Sequence, residues 1–155
     1  MSQTGQMKEY KVSAIKNGTV IDHIPAGSAF KVAELLDLSH TKGTISVATN
    51  LKSRMLRKKG IIKIGNKELT ENETNRVALF APLATINIIE DYAVKEKRKV
   101  SLPTELHHLV KCVNPNCITN KEDVLTCFRV VRKDPLELRC HYCERVMGQD
   151  DLRLL

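Results

Sequence analysis

The chain has no tryptophan and only three phenylalanines and three tyrosines in 155 residues. None of these aromatics clusters with another, so the stacking platform of a single-strand nucleic-acid reader is missing. No apolar run approaches the roughly 20 residues a membrane helix needs, so no membrane partner is expected. Met1 to Tyr10 is polar and lacks the apolar centre of a secretory leader, which predicts a cytoplasmic, reducing environment. Catalytic signatures are also missing. There is no Walker loop, no H-E-x-x-H and no G-x-S-x-G. Asp22-His23 alone offers acid-base groups, with no nucleophile near it in sequence. No internal repeat or low-complexity segment stands out.

What is present begins with cysteine. Cys112 and Cys117 are spaced C-x4-C, Cys140 and Cys143 are spaced C-x2-C, and twenty-two residues separate the pairs. Two tight turns that each deliver two thiolates form a tetrahedral site, which structural zinc prefers; iron would use the same ligands. Four protein ligands leave no position for water or substrate, so these residues predict architecture rather than catalysis. Disulfides are disfavoured in a reducing compartment. Cys127, within Val124-Leu125-Thr126-Cys127-Phe128, reads as a small buried hydrophobe. His107 and His108 precede the first pair and are alternative ligands.

Charge divides the chain. Residues 1–99 carry seventeen Lys or Arg against ten Asp or Glu, whereas residues 100–155 carry eight of each. The division predicts two domains, 1–99 and 100–155, with the whole excess of +7 in the first. A unit as small as the second is marginal on its hydrophobic core alone, so a metal is the expected supplement. A neutral zinc unit also argues against nucleic-acid binding, the competing reading for a basic chain with a zinc ribbon.

Periodicity places the elements. Lys8 to Ile15 and Thr19 to Ile24 read as strands around an Asn17-Gly18 turn. Pro25 opens a helical stretch with Ala29, Phe30, Ala33 and Leu36 on one face, fading near Leu38. Thr44 to Leu51, with Ile45, Val47 and Thr49 inward, and Ile61 to Ile64 read as strands. Thr70-Glu71-Asn72-Glu73 is a capping box opening a helix that Pro82 stops. Ala84 to Val94 reads as a final strand, and Lys95 to Lys99 as a charged boundary. The expected class is α+β: a ferredoxin-like β-α-β-β-α-β domain followed by a small all-β zinc-ribbon-like domain, with Leu125 to Arg132 and Leu136 to Cys140 as strands.

Basic residues concentrate at Lys52, Arg54, Arg57, Lys58, Lys59 and Lys63, and again at Lys97 to Lys99. Such runs normally face water. Lys63 differs because it interrupts an isoleucine strand, where a bound phosphate would give the charge a purpose.

These pieces occur in a specific order: Gly18-Thr19-Val20-Ile21-Asp22-His23-Ile24-Pro25, then Lys59 to Ile64, then Ala81-Pro82 through Asn87 to Tyr92, then the two cysteine pairs with Cys140-His141-Tyr142-Cys143-Glu144. In that order they resemble the aspartate carbamoyltransferase regulatory chain family, from about Val12 to Glu144. The resemblance implies a non-catalytic regulatory subunit in pyrimidine biosynthesis. Such a subunit binds CTP, UTP or ATP, pairs with a second copy as a regulatory dimer, and docks through its zinc domain on the catalytic chain. By matching position, the resemblance implies a nucleotide pocket of Val12, Ala14, Ile15, Val20, Asp22, His23, Lys59, Lys63, Asn87, Ile89, Tyr92, Val94 and Lys97. In it, lysines and His23 would donate to phosphate and ribose oxygens, and Asp22 would accept from ribose hydroxyls. Asn114, Asn116 and Glu144 match positions at the catalytic-chain contact, although Asn-Pro-Asn is equally suited to a turn.

Overall fold

A computed structural model describes residues 13–155. Val12 and most of the expected strand Lys8 to Ile15 lie outside the described residues, and Ser13 to Ile15 are not in a strand. The first sheet has five strands in the order β2-β3-β1-β4-β5, all antiparallel. They are β1 (Gly18–Pro25), β2 (Ile45–Ser53), β3 (Arg57–Gly65), β4 (Thr85–Glu90) and β5 (Ala93–Lys99). Helices α1 (Ala29–Leu35) and α2 (Glu71–Phe80) complete the ferredoxin-like succession, to which β5 adds an outer strand.

One face of this sheet is built for the helices. Ile21, Ile62, Ile64, Ile86 and Ile88 are buried at alternate strand positions and pack with Val32, Leu36, Val77 and Leu79. Helix α1 is shorter than its periodicity suggested, because Ala26–Ser28 form a 3-10 turn and Leu36 closes the helix. It lies close to the sheet at Gly60, where an added Cβ would stand 2.5 Å from that of Ala29. Helix α2 starts as expected: the Thr70 hydroxyl accepts from the Glu73 amide at 3.2 Å, and the Glu73 carboxylate accepts from the Thr70 amide at 2.9 Å. On β2, an edge strand, Ile45 is 37% exposed rather than inward, while Val47 packs on the core.

Two expectations are corrected here. Ala84 to Val94 is not one strand, and Lys95 to Lys99, expected as a charged boundary, is itself part of a strand. The chain reverses at Asp91 and Tyr92, both at positive φ (50° and 65°), and returns as β5. The reversal is held from a distance: the Tyr92 amide donates to the Lys16 carbonyl at 2.9 Å and the Asp91 amide to Asn17 Oδ1 at 3.1 Å. The Lys-Glu-Lys-Arg-Lys run is thus an exposed edge, where charge discourages pairing with another chain.

The second sheet is β6 (Glu105–His107), β7 (Cys127–Lys133), β8 (Leu136–Cys140) and β9 (Val146–Gly148), antiparallel and in that order. Phe128, Leu138 and Met147 form its fully buried centre. Gln149 donates to the Leu79 carbonyl at 3.3 Å, linking the end of β9 to the end of α2. No helix among the described residues is long and apolar enough to cross a membrane.

Candidate functional site

The two cysteine pairs converge. The sulfurs of Cys112, Cys117, Cys140 and Cys143 all lie within 4.8 Å of one another. Around a tetrahedral ion bound at about 2.3 Å, adjacent thiolates stand roughly 3.8 Å apart. The Cys112–Cys143 and Cys117–Cys140 sulfurs are 3.6 and 3.7 Å apart, matching that spacing, and all four sulfurs lie close enough together to share one ion. Each pair sits in a turn that aims backbone amides at sulfur. Burial alone would raise the Cys143 thiol, but the Arg145 amide and the Asn114 side chain pull it down to about 7. Burial pushes Cys112 up to about 12 against the opposing Asn114 amide. When bound, a divalent ion supplies the positive charge that lets four adjoining thiolates coexist.

Supporting residues hold the turns. Asn114 Oδ1 accepts from the Asn116 amide at 3.0 Å, the turn chemistry that its sequence suggested. Asn120 donates to the carbonyls of Cys112 and Asn114 at 2.8 and 2.7 Å, and the Thr119 hydroxyl donates to Cys117 Sγ at 3.2 Å. Sequence reading missed Thr119 and Asn120. The available signal was Thr119 and Asn120 just past Cys117, since such side chains readily hydrogen-bond to nearby backbone groups. Glu144 takes a φ of 63° as its amide donates to the Cys140 carbonyl, and its side chain is exposed.

Cys127 is corrected: it is half-buried, not a core residue. Strand alternation turns Phe128 inward and Cys127 outward, beside Glu105 and His107. His107 therefore takes no place in the four-sulfur group, and neither does His108.

On the first sheet, the face away from the helices collects most of the predicted pocket. Register places Lys63 opposite Val20, Val20 opposite Asn87, and Asn87 opposite Lys97, one continuous row across β3, β1, β4 and β5. Ser46 on β2, opposite Lys63, extends it. Ile89 pairs with Val94 further along, and Tyr92 and Val94 are exposed. Ala14 and Ile15 line a cavity of ≈ 300 Å³ with Ser46 and Asn66 at the same edge of the sheet. The Lys63 ammonium donates to the Ser13 carbonyl at 3.0 Å. Among the described residues, neither Lys63 nor Lys97 has a carboxylate partner within 4.0 Å.

Asp22, His23 and Lys59 form a different kind of cluster. Between Ile21 and Ile24 the β1–β3 register shifts, and His23 adopts a φ of 58°, a bulge that re-aims both side chains. The Asp22 carboxylate accepts from the His23 amide at 2.6 Å and lies 2.7 Å from Lys59 Nζ. Burial would raise its pKa, but the Lys59 ammonium and the His23 amide outweigh burial and hold it below the usual range. His23 Nδ1 is 2.9 Å from Thr85 Oγ1, a partner that the sequence did not suggest. Lys59 is thus paired with a carboxylate, whereas Lys63 donates to a backbone carbonyl, that of Ser13.

The family model described as aspartate carbamoyltransferase regulatory chain, allosteric domain, matches residues 10–101, and the one described as its metal binding domain matches residues 104–153. The aspartate carbamoyltransferase regulatory chain of Thermococcus sibiricus is 55% identical over 144 residues, covering 93% of this chain and 95% of that protein. That of Pyrococcus horikoshii is 53% identical over 148 residues, covering 94% and 97%. That of Bacteroides thetaiotaomicron is 48% identical over 145 residues, covering 94% and 95%. With both cysteine turns in place and both halves of the chain matched in order, this protein belongs to the aspartate carbamoyltransferase regulatory chain family.

Proposed function

We propose that the chain binds nucleoside triphosphate effectors, CTP, UTP or ATP, on the open face of its first sheet and passes their occupancy to a catalytic chain held by its second. In this reading, residues 1–99 are the nucleotide unit and residues 100–155 the docking unit, kept in shape by one structural zinc on Cys112, Cys117, Cys140 and Cys143. A second copy of the chain pairs with the first. The carrying observation is the row Lys63, Val20, Asn87, Lys97: two ammoniums that, among the described residues, have no carboxylate within 4.0 Å flank an apolar and an amide side chain on the sheet face opposite the one that packs on the described helices. That is the chemistry a base with a polyphosphate tail requires. Asp22 and His23 contribute a preset bulge beside the row, and Ala14, Ile15, Ile89 and Tyr92 offer backbone groups for the edge of the base. Zinc suits the docking unit because four thiolates at tetrahedral spacing match its preferred structural coordination.

The test is reconstitution. Aspartate carbamoylation by the catalytic chain, with this chain bound, should change on adding nucleotide, whereas this chain alone should be inactive. Allosteric couplings typically amount to about 1–3 kcal/mol, so a several-fold to roughly hundredfold response is expected. A substrate analogue should shift nucleotide affinity by the same factor, since linkage of binding free energies is reciprocal. Binding of nucleotide with no change in either direction would refute the coupling role.

A further inference from the structure

Outside the four-sulfur centre, a second group of metal-ligating side chains lies on the outer face of the second sheet. His107 on β6 stands directly opposite Cys127 on β7, and Glu105 lies two residues back on the same face as His107. One ligand atom from each, Glu105 carboxylate oxygen, His107 ring nitrogen and Cys127 sulfur, lies within 4.8 Å of the other two. We propose that Glu105, His107 and Cys127 form a second, exchangeable site for a borderline divalent cation such as zinc.

The spacing is compatible with a shared ion. Glu105 Oε2 and His107 Nε2 are 3.4 Å apart, longer than a good N–H···O hydrogen bond. Oxygen and nitrogen ligands each about 2.1 Å from a tetrahedral zinc stand roughly 3.4 Å apart. Thiolate, imidazole and carboxylate are all accepted by zinc, and three protein ligands with one open position is the arrangement of an accessible site rather than a closed one. Glu105 and Cys127 also border a cavity of ≈ 190 Å³, which Arg129, Arg139, His141 and Glu144 line as well. That volume admits several waters, at roughly 30 Å³ each. Two arginines oppose a cation here: Arg139 lines the same cavity, and Arg129, its cross-strand neighbour, holds its guanidinium 3.6 Å from Glu105 Oε1. Their charge lowers affinity for a cation, and together with the exposure of Glu105 and His107 it predicts a site filled and emptied as metal levels change.

The test uses the full chain with its tightly held first equivalent of metal in place, dialysed against low-micromolar zinc. A second equivalent should bind. Cys127→Ser and His107→Ala should each weaken it by at least about tenfold, the scale found even for residues one layer out from a metal. Both should leave the first equivalent untouched, which also reports that the variants are folded. Cobalt added to the zinc-loaded chain should give a thiolate-to-cobalt charge-transfer band that disappears in Cys127→Ser. Absence of a second equivalent in the unaltered chain, or a second equivalent indifferent to both substitutions, overturns the proposal.

Discussion

Lys59 Nζ lies 2.7 Å from one carboxylate oxygen of Asp22 and 3.0 Å from the other, closing the β1 bulge against β3. The pair is four-fifths shielded from solvent at both side chains, so it is more than a surface contact. Its partners hold Asp22 in place beside the open face of the sheet, so the bulge is set by contacts within the chain.

The same pair sets an acid dependence. The Asp22 carboxyl is lowered from its ordinary value of 3.8, so its contribution to stability is fully present above that value and is lost as pH falls through the lowered one. Asp22→Asn should therefore be less stable than the unaltered chain at neutral pH, with the gap narrowing below about pH 4. Urea midpoints across a pH series read this directly. A gap of constant size at every pH would remove the carboxylate's charge from the account.

Lys63→Ala should weaken nucleoside triphosphate binding by about tenfold to a hundredfold, the range expected for losing a charge-assisted contact of about 1.5–3 kcal/mol. Lys52→Ala, an exposed residue on the β2–β3 hairpin, should change it little. Titration calorimetry on both variants decides. Equal effects would return Lys63 to the role of a solvated charge.

Cys140→Ser should abolish tight metal binding, because it removes one of four converging thiolates. Structural zinc contributes on the order of 10–16 kcal/mol in small peptides, enough to decide whether the second sheet forms. Amide exchange after chelation should then accelerate over Cys127–Lys133 while Gly18–Pro25 stays protected. Simultaneous loss in both segments would mean that the sheets do not fold separately.

Gly60→Ala should destabilise the fold by about 1–3 kcal/mol through overpacking, since the new methyl would meet Ala29 Cβ at 2.5 Å. Ala29→Gly should cost less in that background than alone, a coupling that a double-mutant cycle measures. Additive effects would show that helix and sheet shift apart freely.

Legibility from sequence followed locality. The cysteine spacing, the Thr70 capping box and the isoleucine alternation act within a few residues, and each was readable. The β4–β5 reversal was not, because Asp91-Tyr92 is held in positive φ by Lys16 and Asn17, more than seventy residues away. The charged run after it reads as a boundary although it belongs to β5. Cys127 was misjudged from apolar neighbours, although the period of two that buries Phe128 already turns Cys127 outward. The contact of Asp22 with Lys59 depends on a register shift that no local pattern announces. The open face is legible only once register aligns Lys63, Val20, Asn87 and Lys97.

In the proposed nucleotide-binding role, that alignment would act as a caliper. Lys63 and Lys97 stand three strand spacings apart, roughly 14 Å at about 4.8 Å per step, and their side chains can shorten the gap only by leaning inward. A molecule gripped at both ends must be elongated, with an anionic end and a second hydrogen-bonding end. Inorganic phosphate, or a nucleoside without its tail, can satisfy one jaw at most, so fragments should compete feebly even when each carries a correct functional group.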